Sequence, residues 1–137
     1  MAVIEELIRV EEDGSLSFGN YLMDEKKKVL DFDVDGDLYK VKTFRDMTRL
    51  EKNGKMVLES NPGTTVHHFV MTDKKVSFLL ESAEDAEITL ELEPEKEYKV
   101  LVDDVNVGKM KSNIAGKITF SVEISAGSVA VFIEKVF

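Results

Sequence analysis

Along most of the chain apolar and polar residues alternate with a period of two, in short runs separated by turn signals every 8 to 12 residues or so. That is the pattern of a sandwich or barrel built from hairpins. The clearest case is KVLDFDVDGDLYKVKT. A tight loop at Asp35 and Gly36 predicts Phe32 opposite Tyr39 and Leu30 opposite Val41 on one face, with Asp31 opposite Lys40 on the other. In TRLEKNGKMVLE, Asn53 and Gly54 supply the positive φ angles of a hairpin turn, and the spacing predicts Leu50 opposite Val57. Near the start, LIRVEEDGSLSF fits a loop of Glu12, Asp13 and Gly14, which sets Val10 against Leu16 and Ile8 against Phe18.

Asn61, Pro62 and Gly63 form the strongest punctuation in the sequence. After them the pattern predicts strands near residues 66–71, 75–81, 86–92, 97–102, 105–111, 117–124 and 129–136. Alternation is cleanest in ITLELE, with Ile88, Leu90 and Leu92 on one face, and in ITFSVEI, with Ile118, Phe120, Val122 and Ile124. Helix signals are weak. MDEKKKVLD from Met23 and FRDMTRLEK from Phe44 each lack the combination of a cap and a full apolar stripe, so at most one short helix is expected. The expected fold is all-β: a hairpin meander over residues 1–62, followed by a small immunoglobulin-like β-sandwich over 63–137. Neither part is large enough to be comfortable alone, so the two are expected to share one core.

Composition narrows the function classes. The 137 residues are 43% hydrophobic, enough for a real core, and they carry 27 acids against 18 bases for a formal charge of -9. Such a charge repels phosphate backbones and anionic lipid, so neither nucleic acid nor a membrane surface is an expected partner. The N-terminal stretch MAVIEELIRVEEDG has acids where a secretory signal needs bases, and no apolar run approaches a membrane span. With no Cys, thiolate nucleophiles, thiolate metal sites and disulfides are excluded together. The expected location is cytoplasmic.

Four features merit a chemical reading. DFDVDGDL places Asp31, Asp33, Asp35 and Gly36 at the spacing of an EF-hand loop, which makes the three aspartates a calcium candidate. Yet the twelfth position is Lys42 rather than Glu and the flanks alternate as strands, so a hairpin with solvated acids accounts for the same residues, and any calcium binding there is expected to be weak. His67 and His68 are adjacent in a predicted strand and point to opposite faces, and no GxSxG elbow accompanies them. Residues 81–97 hold eight acids against the single base Lys96, and ITLELEPEKE puts them on a solvent face. Glu87, Glu91 and Glu93 there could dock a basic protein partner. A carboxylate pair of the glycosidase kind cannot be told from surface acids by spacing, and with no Trp and most Phe on inward positions a sugar-stacking platform has little to build on. The C-terminal run SVAVFIEKVF is almost wholly apolar. With Val129, Val131 and Ile133 turned to the core, Phe132 and Phe137 fall on the other face, where they need cover from the rest of the chain or from another subunit.

NGKMVLESNPGTTVHHF and ITLELEPEKEYKVLVDDVNVGKMKSN resemble a group of short bacterial proteins, mostly from anaerobic Gram-positive species, that often carry the label "endosialidase". The resemblance spans the whole chain. True endosialidases are far longer trimeric phage tail proteins with a β-propeller and basic contacts to the sugar carboxylate, machinery that an acidic 137-residue chain cannot contain. What the resemblance implies is therefore at most binding of sialylated or other polysaccharide. Taken together, these readings predict a non-catalytic interaction or structural protein without a cofactor, a homo-oligomer associating through β-sheet surfaces. A small carbohydrate or weak calcium module is the alternative, and a carboxylate-based glycoside hydrolase ranks third.

Overall fold

The computed structural model describes residues 2–124 and 127–136. Among them are thirteen strands and no helix: β1 (Ile8–Val10), β2 (Leu16–Phe18), β3 (Lys27–Val34), β4 (Asp37–Phe44), β5 (Met47–Lys52), β6 (Lys55–Asn61), β7 (Thr65–Met71), β8 (Lys75–Glu81), β9 (Ala86–Glu91), β10 (Glu97–Val102), β11 (Val105–Lys111), β12 (Lys117–Val122) and β13 (Ser128–Lys135). They form two antiparallel sheets that pack as a β-sandwich, so the all-β class is as the alternation predicts. The first sheet runs β1-β2-β7-β8-β13-β10-β11 and the second β12-β9-β6-β5-β4-β3.

The alternation explains why each strand buries one face. In the second sheet a single register row joins Val29, Val41, Leu50, Leu58, Leu90 and Ile118 across all six strands. In the first sheet Ile8, Phe18, Val66, Leu80 and Val129 make the matching row. These side chains meet in one continuous core. Each sheet draws strands from both sides of Pro62: β1 and β2 join β7 in the first, and β6 joins β9 in the second. The Asn61–Pro62 bond is cis, and the link it opens lies tight against the β4–β5 turn. Gly63 donates its N–H to the Arg45 carbonyl at 2.8 Å, and a Cβ on Gly63 would stand 1.9 Å from the Phe44 carbonyl oxygen, which leaves glycine as the only residue that fits.

Two expected registers need correction. Phe32 does face Tyr39, but β3 then bulges, so Val29 faces Val41 in place of Leu30. Asp31 takes a φ of 53° in that bulge, and Leu30 is left 60% exposed. At the Asn53–Gly54 turn a second bulge sets Leu50 against Leu58 and not against Val57. Both bulges insert one residue, which shifts partners without changing which strands pair. The first hairpin keeps its expected register, Val10 to Leu16 and Ile8 to Phe18. The two weak helix segments contribute to β3 and β5.

Candidate functional site

The outward faces of the two sheets differ in chemistry. On the second sheet one row reads Lys28, Lys42, Arg49, Glu59, Thr89 and Thr119. Arg49 is tied there to Glu59 at 2.9 Å and to Glu51 at 3.1 Å. Lys42 has its pKa lowered, by burial first and then by the cationic neighbours Lys28, Lys26, Lys40 and Arg49. This is a solvated, charged face.

The outward face of the first sheet is apolar through its middle. Val70, Ser77, Phe132, Leu101 and Asn106 lie opposite one another across β7, β8, β13, β10 and β11, and the adjacent row is His67, Leu79 and Ala130. Phe132 and Leu101 are half-buried, and Val70 is 43% exposed. β13 is an interior strand with β8 and β10 on its flanks, which explains its apolar composition: its core side is Val129, Val131 and Ile133, and its outward side is the ridge that carries Phe132. Phe137 lies outside the described residues. Below this stripe runs a row of Lys75, Glu134, Lys99 and Lys109, three cations against one acid on a strongly acidic molecule.

At the other end of the same face is a buried polar network that sequence reading missed. Thr65, Glu81 and Ser128 share a row. The Glu81 carboxylate is 8% exposed; its Oε1 lies 3.2 Å from Nε2 of His67, and its Oε2 accepts the Tyr21 hydroxyl proton at 2.9 Å. Tyr21 reaches this position from the β2–β3 link, over the outward end of β7 and β8. Burial, and then the Glu81 carboxylate it faces, push the Tyr21 phenol up to about 12. The solvent-face assignment of the acids from 81 onward is therefore wrong for Glu81. Strand alternation correctly turns it away from the core, but it cannot report that Tyr21 covers that spot. Because the folded chain holds the Tyr21 proton more tightly than the unfolded chain, this contribution to stability is complete below pH ~10 and is lost as pH rises towards about 12. Tyr21→Phe is expected to cost about 0.5–1.5 kcal/mol near neutral pH, and the gap from wild type should close as pH rises above ~10. Urea midpoints at about pH 9 and about pH 11.5 check this; a gap that stays constant would refute it.

The remaining sequence candidates do not converge. Asp33 Oδ1 accepts the Gly36 N–H at 3.0 Å as part of the turn, Asp35 occupies a positive-φ turn position and Asp31 lies in the bulge. Among the described residues no group of three or more His, Asp or Glu side chains is arranged to hold a metal ion. His67 is buried, whereas His68 sits exposed on a bulge with a φ of 54°, its Nδ1 3.2 Å from Ser15 Oγ. Ser15 in turn donates to Asp13 at 2.5 Å, and the other Asp13 oxygen lies 3.7 Å from the same His68 Nδ1, so serine and carboxylate share one ring nitrogen instead of taking opposite ones, which is not the arrangement of a nucleophilic triad. Glu87 and Glu91 alternate to the outward side of β9, Glu91 at the strand's last position where it also borders the cleft between the sheets, and Glu93 pairs with Lys135. No family model, curated protein or solved structure matches the chain.

Proposed function

We propose that this protein is a non-catalytic β-sandwich that self-associates, with the outward face of the first sheet, centred on Phe132, as its contact surface. The carrying observation is the asymmetry of the two faces: one is laced with charge, whereas the other presents Val70, Leu79, Ala130, Phe132 and Leu101 side by side. A second copy is the occupant the charges favour. Two molecules of charge -9 repel over most of their surface, but the stripe itself is uncharged and the row flanking it carries both signs, so Glu134 of one copy can meet Lys75 or Lys99 of the other. A two-fold contact repeats one patch on both copies, which suits a stripe running across five strands. The face serves better than the edge, because the edge strand β11, despite Val105 and Val107 at 63% and 51% exposure, carries Lys109 and Lys111 and a bulge that guard against strand addition. This reading asks for no enzymatic activity of the kind named by the label on the group that the sequence resembles.

Light scattering coupled to size exclusion, over a range of concentrations, should find a defined oligomer. Phe132→Ser should shift it to monomer, with association weakened by tenfold or more, the equivalent of about 1.4 kcal/mol. A strict monomer at the highest concentration reached, or a Phe132→Ser variant that assembles as wild type does, would remove the proposal.

A further inference from the structure

The sheets part at the end of the sandwich bounded by the β1–β2 and β7–β8 loops, leaving a cleft of about 540 Å³. Small-molecule sites fall in the range of roughly 300–1,000 Å³. Its floor on the first sheet is Phe69, Val76 and Tyr98, all buried, and its opposite wall is Val57, Tyr39 and Leu92. The strands themselves open it. β6 bulges just before Leu58, the partner of Leu50, bringing Val57 onto the wall, and the Tyr98 hydroxyl, which could otherwise reach into the space, instead accepts the Glu93 N–H at 3.1 Å.

The rim has the opposite character. It carries Asp13, Asp73, Glu91 and Glu93 against Lys52 and Lys75, and Lys135 pairs with Glu93, so four acids less three bases leave a surplus of one negative charge. Lys52 is drawn to Asp37 at 3.6 Å, away from the acids of the rim, while Asp73 and Glu91 enter no ion pair among the described residues. Tyr39 is half-buried and lines the cleft, an aromatic surface of the kind a cation can rest against. The whole-molecule charge of -9 adds long-range attraction for cations.

From the apolar interior and the acidic mouth together we infer that the cleft is a binding site for a small hydrophobic amine: an aliphatic or aromatic body between the sheets, with its ammonium group held at the rim by Glu91 and Asp73. Carboxylates of the same shape are repelled at the rim, and neutral alcohols gain the burial without the charge. The site lies on a different part of the fold from the Phe132 face, and it stands or falls separately from self-association.

Octylamine, octanol and octanoate, titrated by calorimetry below their aggregation limits near neutral pH, form the test. Octylamine should bind about tenfold tighter than octanoate, with octanol between them. Val34→Trp fills the mouth from a half-exposed position and should weaken octylamine by tenfold or more. Glu91→Gln, a surface change that leaves packing intact, should reduce the preference for octylamine over octanol by about threefold. Absence of any heat with octylamine, octanoate binding as tightly as the amine, or an unchanged amine preference in the Glu91→Gln variant would each overturn the inference.

Discussion

Phe18→Ala is expected to lower the unfolding free energy by about 3–5 kcal/mol, a large share of the ~5–15 kcal/mol that a domain ordinarily has. Phe18 is completely buried. Its ring meets Phe69 edge-on, with centroids 5.9 Å apart and planes at 72°, and Phe69 continues to Phe78 at 5.8 Å. It also stands in the register row that links β1, β2, β7, β8 and β13. Truncation removes both the burial of a large ring and its aromatic contact, and the β-sheet frame around the site cannot collapse to fill the space. Because β2 belongs to the part before Pro62 and β7 to the part after it, the loss should be felt by the whole molecule. Urea unfolding followed by circular dichroism and by tyrosine fluorescence should give one coincident transition at a lower midpoint. A loss below about 1 kcal/mol, or two separate transitions, would contradict the single shared core.

The strands were the most legible part of the sequence, and particular residues show why. Ile118, Phe120 and Val122 alternate with Thr119 and Ser121, and β12 buries the first set and exposes the second. Register was less legible, because a bulge inserts one residue without leaving a compositional mark: nothing in VLDFD says that Asp31 adopts a positive φ and pushes Leu30 outward. Sheet partnership was not legible at all beyond hairpins. That β6 pairs β9 and β13 lies between β8 and β10 depends on long connections that local pattern does not constrain. The same limit hid the Tyr21–Glu81–His67 network. Its three members are separated by 60 and 14 residues along the chain and come together only through the β7–β8 pairing and the path of the β2–β3 link. Phe132, by contrast, could be placed on the outward face from alternation alone, since its neighbours Val131 and Ile133 are plainly core residues.

Glu81→Ala should destabilise the fold by about 2–4 kcal/mol, far more than the roughly 0.5 kcal/mol expected of a surface acid. The carboxylate satisfies two groups at once, the buried His67 imidazole and the Tyr21 hydroxyl, and truncation leaves both facing a space with no acceptor. Ser128 and Thr65, its neighbours in the row, are short, and the Thr65 hydroxyl already donates to the Gly19 carbonyl at 2.9 Å. Glu81→Gln keeps an acceptor for Tyr21 and an amide for His67, so it should cost less than half as much. The coupling is the sharper test. In a double-mutant cycle of Glu81→Ala with Tyr21→Phe, the second substitution should cost markedly less in the Glu81→Ala background than in wild type, because its partner is already gone, giving an interaction energy of about 1 kcal/mol. Chemical denaturation of the four proteins at one pH measures it. Additive losses would mean that Tyr21 and Glu81 act independently, and a loss of under about 0.5 kcal/mol for Glu81→Ala would mean that the carboxylate is solvated after all.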